Sequence, residues 1–157
     1  MRLRAETWVS VPRHEVFSFF ADAANLQILT PPWLQMAILT PKPIVMKAGA
    51  RIAYRIRLHG VPLRWESEIS AFDPPVAFVD EQRRGPYRRW VHTHRFLESE
   101  GGTALLDEVE FDLIGARLIG GLVARDLTKI FTYRHSALLA IFKQSAPWPP
   151  PRIDISR

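Results

Sequence analysis

The sequence contains no cysteine. A disulfide framework, thiolate catalysis and a thiolate metal site are therefore excluded. No apolar run is long enough to span a bilayer as a helix, so stable membrane insertion is not expected. The opening residues Met1-Arg-Leu-Arg-Ala-Glu6 carry no apolar signal-peptide core, and the cytoplasm is the default location. There is no Gly-X-Ser-X-Gly elbow. Gly101-Gly102 joins two strands, and Gly120-Gly121 opens a helix without a preceding lysine motif, so no glycine loop cradles phosphate. Nucleotide-dependent chemistry is not expected, and no cofactor is assigned. No internal repeat is present. The formal net charge is +5, but Lys and Arg are scattered apart from Arg83-Arg84 and Arg88-Arg89. That is the pattern of a solvated basic surface, not of a nucleic-acid footprint.

What is present reads as one α+β domain. The 157 residues are 47% apolar and 24% charged, ordinary values for a globular chain. The most informative stretch is Phe78 to Phe96, read as strand, turn, strand. Phe78, Asp80 and Gln82 share one face of the first strand, and Gly85-Pro86 breaks it. Trp90, His92, His94 and Phe96 share one face of the second. Two imidazoles, an indole and a phenyl make a wall with apolar bodies and polar tips, suited to lining a ligand cavity.

Around it, Arg2 to Val9 alternates as a strand. Pro12 suits a first helical position, and Val16, Phe17, Phe19 and Phe20 give the following helix its apolar face. A second short helical turn runs from Asn25 to Leu29, and Trp33 to Thr40 reads as a short strand. Arg51 to Leu58 and Leu63 to Ile69 form a hairpin through His59-Gly60, with Tyr54 opposite Trp65 inside and Arg51 opposite Glu68 outside. Val76 to Gln82, Arg88 to Leu97 and Thr103 to Leu113 are further strands. Leu122, Leu127, Ile130, Phe131, Leu138, Leu139 and Phe142 recur at helical spacing within a long helix, Leu118 to Phe142. The domain covers residues 1–145. Residues 146–157, with Pro147-Trp-Pro-Pro-Pro151, read as an extended proline-rich tail. A curved antiparallel sheet crossed by one long helix encloses a volume between them, where a pocket forms.

The candidate chemistry centres on His92 and His94. A His-X-His pair on a strand directs both rings to one face, as some metal sites require. A turn at Glu100-Gly101 places Asp107 opposite His94, whereas a turn at Gly101-Gly102 places Phe96 there. Two histidines and one carboxylate without cysteine are a weak metal signal, and no metal is assigned. The remaining readings are a buried His–Asp pair that satisfies a core polar position, or a ligand-orienting or acid–base pair in a cavity. Asp80 is a second general-base candidate if its face points inward; on a solvated edge strand it is not. Tyr54, Trp65, Tyr87 and Trp90 either line the cavity or belong to plain core. Glu66 and Glu68 face arginines and read as surface ion pairs.

These residues carry a resemblance. Pro12 with Val16-Phe17, Thr30-Pro-Pro-Trp-Leu34, Gly60-Val-Pro62 with Trp65, Asp80-Glu-Gln82, Gly85-Pro-Tyr87, Trp90 to Phe96, Asp107 and Tyr133-Arg134 occur in an order similar to that of the START-like superfamily, also called SRPBCC or Bet v 1-like. The likeness extends to about Lys143. It implies the helix-grip fold: about seven antiparallel strands wrapped around the C-terminal helix, with two short helices after the first strand. It also implies an internal apolar cavity for lipids, sterols, polyketides or similar molecules, and carries no reaction. The expectation is a module binding a hydrophobic or amphipathic small molecule through Tyr54, Trp65, Phe78, Gln82, Tyr87, Trp90, His92, His94, Phe96, Asp107 and Phe131. The alternative is a polyketide cyclase or dehydratase using His92, His94, Asp107 or Asp80 in acid–base catalysis. No nucleic-acid partner is expected, and a homodimer is compatible with the sequence.

Overall fold

Two tight turns fix most of the sheet. His59-Gly60 and Glu100-Gly101 take positive φ at both positions, 50° and 82° in the first and 49° and 77° in the second. Such turns match the twist of the strands they join, and glycine takes the second position without strain. In the computed structural model, which describes residues 1–156, they connect β3 (Arg51–Leu58) to β4 (Val61–Asp73) and β6 (Arg89–Ser99) to β7 (Gly102–Asp112). The first sets Tyr54 opposite Trp65 and Arg51 opposite Glu68; the second sets His94 opposite Asp107.

The remaining elements are β1 (Arg2–Val9), α1 (Arg13–Phe20), α2 (Leu26–Leu29), β2 (Ala37–Ile38), β5 (Ala77–Arg84), α3 (Ala116–Ile141) and β8 (Arg152–Ser156). One antiparallel sheet results, in the order β2-β3-β4-β5-β6-β7-β1-β8. Register shifts in β4 between Glu66 and Ser67, and between Ile69 and Ala71, are where bulges bend such a sheet. α3 packs along the concave side. Among the described residues no helix is long and apolar enough to cross a membrane.

The core is in two parts. Val9, Val16, Phe17, Phe20, Phe78, Phe96, Leu105, Leu138 and Leu139 belong to one cluster, under α1. Leu3, Val109, Phe111, Leu113, Leu127 and Phe131 form the other, under the first half of α3. Between them lie the buried polar residues Thr7, His92, His94, Asp107, Arg134 and His135.

Three expectations are corrected. The strand expected over Trp33 to Thr40 shrinks to Ala37–Ile38, because Pro32–Leu34 forms a 3-10 turn and Gln35 turns left-handed at φ 45°. Leu122 sits in the apolar spacing of the helix yet is 47% exposed, beside Leu118 at 91%. The segment read as a trailing tail returns to the sheet. Arg152–Ser156 pairs antiparallel with β1, and Ile153 and Ile155 pack against the Leu3 cluster. The chain bends at Ala146-Pro147 before it, and the His135 Nε2–H donates to the Pro149 carbonyl at 3.0 Å. The alternation of two isoleucines was too short to read as a strand. Its partner, 150 residues away, supplies the ladder.

β8 covers an otherwise open edge of β1. Ending the chain after Ala146 should therefore cost about 2 kcal/mol from the two half-buried isoleucines and favour edge-to-edge self-association. Urea unfolding midpoints and size-exclusion profiles check this; an unchanged midpoint and a monodisperse profile would contradict it.

Candidate functional site

A cavity of about 210 Å³ lies between the concave face of the sheet and α3. Its walls are mainly apolar and aromatic. Tyr54 stacks on Trp65 with ring centres 5.9 Å apart, as cross-strand neighbours of β3 and β4 do. Trp90 and Tyr87 meet Trp65 edge-on at 5.3 and 5.6 Å. Ile56, Leu127, Ile130 and Phe131 line the cavity from β3 and α3, and Leu29 and Leu34 from the short helical segments. At one end Asp80, His92, His94 and Arg134 face the space.

That end is a closed hydrogen-bond network. His92 and His94 occupy successive inward positions of β6, with ring centres 3.8 Å apart. Asp80 sits opposite His92 on β5, and Asp107 opposite His94 on β7. The His92 Nε2–H donates to Asp107 Oδ1 at 3.0 Å, and the His94 Nε2–H to Asp80 Oδ2 at 2.9 Å. His94 Nδ1 lies 2.8 Å from Asp107 Oδ1. Arg134 reaches across from α3 and donates to both oxygens of Asp107, at 2.9 and 3.3 Å. Trp65 Nε1 donates to the Ser67 hydroxyl, which in turn lies 3.5 Å from Asp80 Oδ1.

The charges follow from this arrangement. Two carboxylates face one guanidinium, so one further positive charge balances the group. Burial pushes the Asp107 carboxyl up, but the Arg134 charge and the hydrogen bonds from both histidines outweigh it and hold it well below the usual range. Asp80 is likewise raised by burial and lowered overall by His94, His92 and Arg134. Burial lowers both histidines. For His92 the neighbouring His94 charge adds to burial and the net shift is down; for His94 the bonds to Asp107 and Asp80 prevail and the net shift is up. The pair therefore carries its one extra proton on His94. Tyr54 is pushed up by burial and by the Asp80 charge, so its phenol stays protonated.

The profile of the family described as polyketide cyclase / dehydrase and lipid transport matches residues 9–132. The chain belongs to this family. Solved structures agree on the fold. CV1439 from Chromobacterium violaceum is similar with a TM-score of 0.70 and 14% identity, over 92% of this chain and 98% of that one. Ms6760 from Mycobacterium smegmatis gives 0.68 and 17%, over 90% of each chain. The ginseng major latex-like protein 151 from Panax ginseng gives 0.64 and 12%, over 88% and 96%. No curated protein matches. The family's helix-grip architecture is thus the fold of this chain.

The fold places most of the expected residues together. Tyr54, Trp65, Phe78, Tyr87, Trp90, His92, His94, Phe131 and the inward-facing Asp80 line the cavity. Three expected lining residues do not. Gln82 is spent on the turn: its amide donates to the Tyr87 carbonyl at 2.6 Å and accepts from the Tyr87 N–H at 3.2 Å. Phe96 lies one step beyond His94, in the aromatic cluster with Phe17 and Phe20. Asp107 sits behind the two imidazoles, which separate it from the space. Arg134, noted above only as part of the resemblance, is the charged site residue that sequence reasoning missed. Its signal was a lone arginine within the apolar spacing between Phe131 and Leu138, on the face of α3 turned to the sheet.

Replacing Arg134 by Met leaves Asp107 a buried carboxylate without its guanidinium, and should cost about 3–5 kcal/mol. Combining it with Asp107→Asn should cost less than the two separate losses added, by about 1 kcal/mol or more. Denaturant unfolding of the four-member cycle measures this; strictly additive losses would show that the network is not coupled.

Proposed function

We propose that the protein binds one hydrophobic or amphipathic small molecule between the sheet and α3, with its polar end against Asp80, His92, His94 and Arg134. The observation that carries this reading is the asymmetry of the lining: stacked aromatics and aliphatic side chains over most of it, and Asp80, His92, His94 and Arg134 gathered in one hydrogen-bonded cluster. Small-molecule sites have this composition, an apolar body with few convergent polar groups. A volume near 210 Å³ is below the range of about 300–1,000 Å³ common for such sites. It favours a molecule the size of one or two fused rings or a short acyl chain. Tyr54, Trp65, Tyr87 and Trp90 would supply flat stacking surfaces, and apolar burial would contribute roughly 25 cal/mol per Å². The lipid-transport and polyketide wording of the family description is in keeping with such a ligand.

A second reading, a cyclase or dehydratase, has one specific support. Asp80 and His92 both line the cavity, where a general acid or base must stand to reach a substrate proton. His92 is the member of the pair held neutral, so its Nδ1 lone pair is free to accept a proton.

Freshly purified protein examined by native mass spectrometry should carry an extractable small molecule, and Ile56→Trp should fill the cavity and emerge without it while keeping its fold. Asp80→Asn should weaken a ligand with a polar head by about tenfold, the worth of one charge-assisted hydrogen bond, and leave a purely apolar ligand unaffected. Absence of any adduct, together with no thermal shift across a panel of fatty acids and fused-ring aromatics, would overturn the binding reading. Turnover of a polyketide-like substrate lost in His92→Phe would establish the second reading.

A further inference from the structure

We propose that Asp80, His92 and His94 form a site for one divalent first-row transition-metal ion, such as Zn²⁺, at the polar end of the cavity. Each residue offers one ligand atom, and the three atoms lie within 4.8 Å of one another. Asp80 Oδ2 is 2.9 Å from His94 Nε2 and 3.7 Å from His92 Nδ1. Ligand atoms around a tetrahedral zinc with bonds near 2.0–2.1 Å stand about 3.3 Å apart. The two observed distances fall either side of that value, so small side-chain rotations close the set around an ion.

The rear of the site argues independently for the same arrangement. A metal-bound imidazole usually gives its other nitrogen to a carboxylate or carbonyl, which fixes the tautomer and aims the ring. Here both rings place that nitrogen against one carboxylate oxygen. Asp107 Oδ1 is 3.0 Å from His92 Nε2 and 2.8 Å from His94 Nδ1. Asp107 is itself held by Arg134, whose Nη2 also lies 3.3 Å from His94 Nδ1. The forward nitrogens, His92 Nδ1 and His94 Nε2, are left facing Asp80.

Charge and position agree. Two buried carboxylates against one guanidinium leave one negative charge, which a bound cation offsets in place of the His94 proton that it displaces from Nε2. The ligands come from adjacent antiparallel strands paired Asp80 with His92, a rigid platform that keeps the set in place before an ion arrives. All three residues line the cavity. Three protein ligands with the remaining position open to a cavity are the pattern of a reactive zinc, not of a closed structural one. Such an ion would offer that position to an oxygen of a bound molecule or to water. The inference does not rest on the ligand reading, since metal binding is measured with the ion alone.

The test uses the full chain, stripped with chelator and titrated with Zn²⁺ by calorimetry and with Co²⁺ by visible absorption. The expected result is one ion per chain, and bands of a four- or five-coordinate Co²⁺ centre in the wild-type protein. Asp80→Asn and His92→Phe should abolish saturable binding, and Asp107→Asn should weaken it by about 10–100-fold. His59→Gln should change nothing, because His59 pairs with Asp126 on the surface, away from the cluster, at 2.7 Å. Circular dichroism confirms that each variant is folded. Two results would overturn the proposal: wild-type protein that takes up no Zn²⁺ at micromolar concentration, or binding that survives in folded Asp80→Asn and disappears in His59→Gln.

Discussion

Asp107 is the residue on which the interior depends. Its two oxygens receive Arg134 from the helix and His92 from the adjacent strand, with His94 against the same oxygen. A carboxylate this deep is costly unless both oxygens are engaged, and here they are. In engaging them, Asp107 joins β7, β6 and α3 at one level. Two residues along β1 from Ala5, which faces Asp107, the Thr7 hydroxyl adds a second polar tie to the helix, 2.9 Å from His135 Nδ1 on α3. A polar belt thus crosses four elements. Along β7 it separates Leu105 from Val109, and along α3 it separates Phe131 from Leu138. Hydrogen bonds have direction where apolar contacts have little, so the belt fixes how the helix is seated on the sheet.

The cavity follows from that seating. Arg134 is held toward Asp107 and cannot fold over the empty space. Tyr54 of β3 and Trp65 of β4 stack on each other along the wall and leave the interior open. Phe78 lies flat on His94, with ring centres 4.2 Å apart, and closes the cavity toward the Phe96 cluster. The polar end is therefore both the anchor of the fold and the part of the cavity able to recognise something other than hydrocarbon.

Legibility in the sequence tracked distance along the chain. The pair Tyr54 with Trp65 was readable because a two-residue turn fixes every pairing in its hairpin, whereas His94 with Asp107 was one of two pairings, since either Glu100-Gly101 or Gly101-Gly102 could form the turn. Asp80 was readable as an inward candidate because period two joined it to Phe78. The depth of each residue was not readable. Period two gave His94 and Phe96 the same face, but only packing against Phe17 and Phe20 puts one at the cavity and the other in solid core. Gln82 shared the face of Asp80 too, yet the turn needed its amide. Arg134 escaped because a helix is read by its apolar spacing, and a cation within that spacing becomes meaningful only when the carboxylate facing it is known. The pairing of β8 with β1 was out of reach for the same reason: neither strand carries a signal naming the other.

The position of β1 has a bearing on how the protein is made. Leu3 pairs with Val109, and Ala5 with both Asp107 and Ile153. As the chain is made, β1 waits for partners about a hundred residues or more behind it. At about 5–20 residues per second, that interval is about 5–20 s. During it the β3–β4 and β5–β6 hairpins can close by themselves, while Leu3, Val9 and Trp8 stay uncovered on a strand with two open edges. The nascent chain thus has a long window in which β1 is a target for chaperones or for other unfinished copies, whatever the stability of the finished molecule.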